Sequence, residues 1–465
     1  MLFNSLPFLL FLPIVTVLYY LTQPRWRWFL LLVASCVFYM WFVPPYILIL
    51  LVTIVIDYLA GIYMDRSQQT KVRKRWLVGS IIATCTVLFI FKYFGFFQET
   101  VIWLAARLGH PSDMKVANII LPIGLSFHTF QSMSYVIEVY RNKQQAERHF
   151  GYYALYVMFY PQLVTGPIER PQNLLRQLHE VKTFQWDNLR SGVQLILYGL
   201  FLKMVIADNL ATYVNAVYAH AGQYSPLSVV TGLLFYSFQI YCDFFGYSTI
   251  ALGCAKLMGY NITDNFQSPY LSRSIGEFWH RWHISLSTWF RDYVYIPLGG
   301  SRVPLRRWMI NIMVVFLLSG LWHGAAWTFV AWGALHGLLL VAEGLYGRWT
   351  HRKDRIPRLW RIVPTFILVT LLWTVFRAED FTQLADIARA ILHPAGNGAL
   401  LQVPLQVWLF LGLFLILDIL LRNSRFDKWC THFPPVYQWL ICTLLAFSVI
   451  VFSNVESYPF IYFQF

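Results

Sequence analysis

His323, in the run SGLWHGAAW, is the residue of this sequence best suited to acid–base chemistry. A neutral imidazole can take a proton from a hydroxyl group near neutral pH and so activate it for attack. His323 stands in an apolar stretch, where an ionisable group is costly and is a functional candidate by default. A hydrogen-bonded structural histidine is the alternative. His336 follows thirteen residues later, about 140° round a continuous helix, which argues against a shared metal ion.

A second polar cluster lies in EFWHRWHISLSTWFRD, residues 277–292. Helical spacing predicts that Glu277 pairs with Arg281 and that His280 and His283 share a face. Aromatic residues line one side, so the simplest interpretation is an interfacial helix whose charges face lipid headgroups. A metal pair would need a third ligand, and none is obvious nearby, so no metal site is predicted.

Asp243, in YCDFFGYSTIALG, is the only acidic or basic residue between His220 and Lys256. A lone carboxylate in an apolar segment must find a partner or stay protonated. Two roles stay open. Asp243 either orients a histidine or an arginine of residues 273–292, or it pins two helices together. Glu169 and Arg170, in TGPIERPQ, are expected to fix a loop.

These residues belong to a chain of 465 residues that is 58% apolar and 12% charged, against roughly a quarter charged in soluble proteins. Apolar runs recur along its whole length, which excludes a water-soluble globule and predicts one all-α polytopic membrane domain over residues 1–465. The net charge of +14 lies in short clusters between apolar runs, a pattern typical of membrane topology and not of nucleic-acid binding. The six cysteines form no C-x-x-C pair, so no disulfide framework is predicted. The first apolar run has no positively charged residues before it and no small-residue cleavage site, so it is interpreted as a retained membrane helix.

The hydropathy pattern predicts roughly 10–13 transmembrane or re-entrant helices. Basic clusters at residues 25–27, 66–75, 302–307, 348–358 and 422–428 are expected in the cytosol, which puts both termini outside. Residues 308–321 would rise only about 21 Å, short of a hydrocarbon core of about 30 Å. They are therefore predicted to form a re-entrant hairpin with residues 325–346, with His323 at a tip deep in the membrane.

Several long motifs carry a resemblance to a known family. In chain order they are LPIGLSFHTFQSMSYVIEVYR, TGPIERPQNLL, YCDFFGYSTIALG, NFQSPYLSRSIGEFWHRWHISLSTWFRDYVYIPLGGSR, SGLWHGAAWTFVAWGALHG and PFIYFQF. The chain resembles the membrane-bound O-acyltransferase (MBOAT) family, in its branch of alginate and peptidoglycan O-acetyltransferases. The resemblance implies a central tunnel, with His323 as the catalytic base and His283 as a second catalytic position. The further candidates for supporting this pair or binding substrate are Asp243, Arg281, His336 and Trp322.

The resemblance also implies transfer of an acetyl group from cytosolic acetyl-CoA to an extracytoplasmic polysaccharide such as alginate or peptidoglycan. We expect no bound cofactor, a bacterial cytoplasmic (inner) membrane as the location, and an SGNH-type acetyltransferase partner outside it. Basic loops could bind the phosphates of CoA or only fix topology. Two other classes stay open from the residues alone. One is a polysaccharide or lipid transporter whose intramembrane histidines and aspartate bind cargo, and the other is a scaffold that recruits a soluble acetyltransferase.

Overall fold

A computed structural model describes residues 1–110, 114–117, 119–164, 166–350, 359–392, 398–454 and 458–463. Within these ranges the chain is helical, with one isolated β-bridge between Tyr224 and Ala399 and no strands. The all-α prediction is therefore confirmed. Most of the basic cluster at 348–358 and the last two residues of PFIYFQF lie outside the described residues.

The chain divides into two compact units, Met1–Gly192 with Cys254–Thr263, and Val193–Gly253 with Asp264–Phe465. The single domain expected from the sequence stays a prediction. In the described part of the chain nine α-helices precede residue 186: α1 (Leu6–Leu21), α2 (Arg27–Met40), α3 (Tyr46–Arg66), α4 (Thr70–Leu88), α5 (Phe94–Arg107), α6 (Leu125–Tyr140), α7 (Phe150–Met158), α8 (Tyr160–Leu163) and α9 (Pro171–Leu178).

The helices that follow carry the polar residues singled out in the sequence. They are α10 (Trp186–Leu200), α11 (Asp208–Ala219), α12 (Pro226–Leu257), α13 (Ile275–Arg281), α14 (Ile284–Phe290), α15 (Leu305–His323), α16 (Trp327–Thr350), α17 (Leu359–Arg377), α18 (Phe381–Leu392), α19 (Leu405–Leu420), α20 (Phe426–Cys430) and α21 (Pro435–Phe452). Proline occupies the first position of α9, α12 and α21, where its fixed φ suits a helix start and its missing N–H costs nothing. A π-helical segment, Phe201–Ala207, joins α10 to α11.

Eight helical segments among the described residues are long and apolar enough to cross a membrane. They are α3, α4 continued through α5, α10 continued through α11, α12, α15, α16, α17 and α21. With the shorter apolar helices α1 and α19 the total reaches ten, within the predicted range. The chain is a polytopic membrane protein.

A buried carboxylate ties three helices of the first unit together. Asp57 on α3 accepts hydrogen bonds from Ser80 and Thr84 of α4 and from Ser132 of α6. Because an acidic side chain in an apolar bundle is costly without such donors, this cluster fixes how α3, α4 and α6 pack.

The loop that contains Glu169 and Arg170 is fixed by both residues, as predicted. Glu169 is fully buried and accepts hydrogen bonds from the Thr263 amide and from Asn173 Nδ2, the latter at 2.7 Å. Burial raises the pKa of this carboxyl, and the hydrogen bonds oppose that rise. Arg170 donates to Ser134 Oγ at 3.3 Å.

The predicted re-entrant hairpin is wrong in one respect. Helix α15 begins at Leu305 and has 19 residues, so it rises about 28 Å and matches a hydrocarbon core of about 30 Å. The prediction began the helix at residue 308 because Arg306 and Arg307 are charged, yet arginines at a helix end can extend to the headgroups. His323 is therefore the last residue of a helix that is long enough to cross the membrane.

The single helix predicted over residues 277–292 is interrupted. Helix α13 ends at Arg281 and α14 begins at Ile284, so His280 and His283 do not share a helical face, which corrects that prediction. The predicted pair is confirmed, with Arg281 and Glu277 in an ion pair at 3.0 Å.

Candidate active site

His283 lies in the break between α13 and α14. Its backbone is left-handed, with φ 44° and ψ 56°, a conformation that costs a side-chain-bearing residue roughly 1–3 kcal/mol and is enriched at functional sites. Asn265 stabilises this turn, because its carbonyl accepts from the Ile284 amide at 3.0 Å and its side chain accepts from the Ser285 amide at 3.2 Å. The imidazole is fully buried, with its ring 4.6 Å from that of Phe244. Burial lowers the pKa of His283 to about 3, so the ring is neutral at physiological pH.

His323 ends α15 within a set of aromatic rings. Its imidazole is 4% exposed, and the ring centroids of Trp322, Trp332, Phe376 and Tyr462 lie 4.9, 5.1, 5.4 and 5.6 Å away. These walls exclude water from the imidazole. The low dielectric that results strengthens any electrostatic interaction made with a reacting group.

Close packing of α15 against α16 sets the position of His323. A Cβ atom on Gly320 would collide with the carbonyl of Phe329, and one on Gly333 with the carbonyl of Phe316. Only glycine allows the two helices to approach this closely. The result is that the end of α15 lies against the Trp332 ring of α16.

The two histidines belong to one site. The ring of Trp322 lies 6.0 Å from His283 and 4.9 Å from His323, and the ring of Tyr462 lies 6.5 Å from His283 and 5.6 Å from His323. Trp322, a candidate from the sequence, is thus near both imidazoles. Tyr462 was not among the candidate site residues, since nothing in its local sequence indicates that the end of the chain folds back to this site.

His336 lies beside the pair in a hydrogen-bonded position. It is fully buried, its Nδ1 accepts from Trp279 Nε1 at 3.2 Å, and its ring lies 4.8 Å from that of Trp332. The ring of His323 lies 5.1 Å from the same Trp332 ring. His336 therefore supports the aromatic wall.

Arg281 holds a loop. Besides its ion pair with Glu277, it donates to the Gln267 carbonyl at 3.0 Å. This contact and the Asn265 contacts anchor the segment that carries His283, so Arg281 acts on the site through the backbone.

Of the two roles that the sequence leaves open for Asp243, its contacts fit the second, in which it pins helical segments together. Its carboxylate lies 2.7 Å from Lys203 Nζ and accepts a 2.8 Å hydrogen bond from the Ile461 amide. Lys203 also pairs with Asp208 at 2.8 Å. Asp243 therefore pins the π-helical segment and the end of the chain to α12.

Lys203, the partner of Asp243, is not predicted from the sequence, because it lies in a different segment of the chain. It is a lysine within an otherwise apolar run, which is the same signal that makes Asp243 a candidate. Two glycines let the helices approach, since a Cβ on Gly199 would lie 2.7 Å from the Gly246 carbonyl. That close approach brings the ammonium within reach of the carboxylate.

Two cavities reach the residue next to His283. One, of about 400 Å³, is lined mainly by apolar side chains of α13–α16. The charged side chains of Arg291 and Glu343 also line it. The other, of about 290 Å³, is more polar and lies between residues 264–268 and residues 418–428. Ile284 lines both. Across the described residues no three His, Cys, Asp or Glu side chains are grouped as metal ligands would be.

Residues 124–377 match the family model of the membrane-bound O-acyltransferase family, and this range includes both histidines. The chain belongs to the membrane-bound O-acyltransferase family. It is 39% identical to a probable alginate O-acetylase of Pseudomonas aeruginosa over 82% of this chain and 72% of that protein. A probable alginate O-acetylase of Pseudomonas putida is 35% identical over the full length of both chains. The peptidoglycan O-acetyltransferase of Helicobacter pylori is 33% identical over 84% of this chain and 80% of its own.

Membership of the O-acyltransferase family confirms the resemblance read from the motifs and establishes an enzyme that transfers acyl groups to oxygen. The transporter and scaffold alternatives are thereby set aside. Residues 458–463 lie beyond the range matched by the family model, although Tyr462 contacts both histidines.

Proposed function

We propose that this O-acyltransferase moves an acetyl group from acetyl-CoA to hydroxyl groups of an extracytoplasmic polysaccharide. The observation that carries the proposal is the convergence of two buried imidazoles, His283 and His323, on the same two aromatic rings. The similarity to a probable alginate O-acetylase and to a peptidoglycan O-acetyltransferase supports a polysaccharide acceptor.

His323 acts as the general base. Its imidazole accepts the proton of the acceptor hydroxyl while that oxygen attacks the thioester carbonyl, and collapse of the tetrahedral intermediate breaks the C–S bond and releases the thiolate. The proton held by His323 then passes to the thiolate. His283, kept neutral by burial, can donate an N–H to the oxyanion that develops on the carbonyl.

The cavity of about 400 Å³ is the route that we assign to the donor. It is predominantly apolar, reaches Ile284 beside His283, and has Arg291 in its wall, which suits an extended arm that ends in phosphates. We further propose that the protein lies in the bacterial cytoplasmic membrane with both termini outside, and that an SGNH-type partner completes delivery to the glycan.

The proposal is tested with purified protein in lipid nanodiscs and radiolabelled acetyl-CoA, with alginate or peptidoglycan fragments as acceptors. We expect His323→Ala to lower label transfer by about 100-fold or more, the usual contribution of a general base. His432→Ala is the matched control because His432 is exposed on the α20–α21 connection, and it should leave the rate unchanged. A folded His323→Ala protein that transfers label at the rate of the unmodified enzyme would refute the assignment.

A further inference from the structure

A buried charge cluster in the second unit has no part in the chemistry proposed above. Lys203, Asp208 and Asp243 are 1%, 4% and 2% exposed, and the lysine contacts both carboxylates. Replacing such a cluster with well-packed apolar residues is often neutral or stabilising. Stability alone is therefore a weak reason for this protein to have one, and its contacts indicate a different role.

The cluster binds the backbone near the end of the chain. Lys203 Nζ donates to the Tyr458 carbonyl at 3.1 Å, and the Ile461 amide donates to Asp243 Oδ2 at 2.8 Å. Asn454 donates to the Asp208 carbonyl at 3.2 Å. The Lys203 ammonium thus binds a backbone carbonyl of residues 458–463, and the Asp243 carboxylate binds a backbone N–H of the same residues. We call residues 458–463 the C-terminal turn.

The C-terminal turn needs such partners because it is short. Apart from the 3₁₀ segment of residues 461–463, its backbone groups have no helix of their own to satisfy them. Buried backbone N–H and C=O groups must be paired somewhere, and in an apolar bundle only polar side chains can do this. An apolar anchor could cover the turn but could not fix its register.

The register decides where Tyr462 lies. It follows Ile461 directly, and its ring is 4.6 Å from Phe244 and 5.6 Å from His323. Phe460, on the other side of Ile461, packs 4.5 Å from Tyr247 of α12. The hydrogen bond to Asp243 therefore acts at the residue between Phe460, which packs on α12, and Tyr462, which contacts both histidines.

We propose that Lys203 and Asp243 are positioning residues, which bind the backbone of the C-terminal turn so that Tyr462 closes the aromatic site around His283 and His323. The positioning role rests on the proposed function only where acyl transfer is used to measure it. The placement of the turn can be measured without any turnover.

The sharpest test removes one hydrogen bond and leaves the buried charges intact. Ile461→Pro deletes the amide that donates to Asp243, at the first position of a 3₁₀ segment, where proline is tolerated. Ile461→Ala is the matched control, because it also shortens the side chain but keeps the N–H. Hydrogen–deuterium exchange of the peptide that contains residues 458–463 should be about tenfold faster in Ile461→Pro than in Ile461→Ala, as expected for loss of a hydrogen bond to a charged group.

Substitution of Lys203 tests the second backbone contact of the C-terminal turn. Lys203→Met should also speed exchange of this peptide and lower kcat about tenfold with the KM for acetyl-CoA unchanged, because misplaced groups around a reacting centre cost rate. Lys203→Arg keeps the charge and should restore both. Lys92→Met is the control, since Lys92 also lies in a π-helical segment, Phe89–Tyr93, but in the first unit.

The outcomes separate the two proposals. Unchanged exchange and unchanged kcat in both Lys203→Met and Ile461→Pro would overturn the positioning role. If Lys203→Met fails to fold, the comparison of Ile461→Pro with Ile461→Ala tests the positioning role by itself. Neither of these two substitutions changes a side chain of the buried charge cluster. His323→Ala should keep normal exchange of the turn while losing activity. A fully active His323→Ala protein with fast exchange in Ile461→Pro would reject the general base and keep the positioning role.

Discussion

Replacement of His283 by asparagine should remove a specific part of the protein's sensitivity to acid. His283 is fully buried, outside the candidate spans, and burial lowers its pKa to about 3 from an ordinary value of 6.5. Between these two values the unfolded chain binds a proton that the folded protein does not bind. Stability from this group is therefore complete above pH 6.5 and is lost as the pH falls towards 3.

The magnitude follows from the two pKa values. At pH 5 the unfolded imidazole is about 1.5 pH units below its pKa, and each unit is worth about 1.4 kcal/mol, so the folded state loses about 2 kcal/mol relative to pH 7.5. Asparagine does not titrate and is among the residues that best tolerate positive φ, so His283→Asn should fold with the same turn.

The assay is the free energy of unfolding in mixed detergent micelles at pH 7.5 and pH 5, for the unmodified protein and for His283→Asn. Other groups titrate in both proteins, so the difference between their pH dependences isolates His283. We expect the unmodified protein to lose about 2 kcal/mol more than the variant. Equal losses in the two proteins would show that the imidazole is not held neutral by burial.

Two further predictions concern the packing around the histidines. Gly333→Ala should lower the free energy of unfolding by about 1–3 kcal/mol and reduce acyl transfer, because its Cβ would push α16 away from α15 and displace His323. Gly347→Ala on the same helix meets no atom within 4 Å and should be neutral or stabilising by up to about 1 kcal/mol in thermal unfolding. Trp279→Phe removes the N–H that His336 accepts and should cost about 1–3 kcal/mol in denaturant unfolding, and unchanged stability would mean that this hydrogen bond contributes nothing.

The sequence was sufficient for the fold class and for singling out His323 as a candidate for acid–base chemistry. An imidazole in a long apolar run stands out against its surroundings, and the order of long motifs around it is specific to the O-acyltransferase family. Helix existence was also predictable, because apolar runs of membrane length have few alternatives. The start of α15 was predicted at residue 308 and not at Leu305, because a hydropathy criterion excludes arginines from a membrane helix although the end of such a helix can accommodate them.

The break at His283 could not be predicted from EFWHRWHISLST, which contains neither glycine nor proline. Helical periodicity continues through it, and the left-handed backbone is imposed by Asn265, which binds the amides of Ile284 and Ser285. Such tertiary contacts override local preference. The partner of Asp243 was equally invisible, since Lys203 is forty residues away in sequence and only the close approach of two helices brings them together.

The hydrogen bond between Asp243 and Ile461 spans 218 residues, which has a consequence for the time at which activity appears. At a synthesis rate of roughly 5–20 residues per second, about 10–40 s pass between translation of the aspartate and of its backbone partner. During that interval both histidines are synthesised, but the ring of Tyr462 that contacts them does not yet exist. The nascent enzyme therefore acquires the contacts of Tyr462 with the two histidines only when residues 458–463 have been made and have folded back.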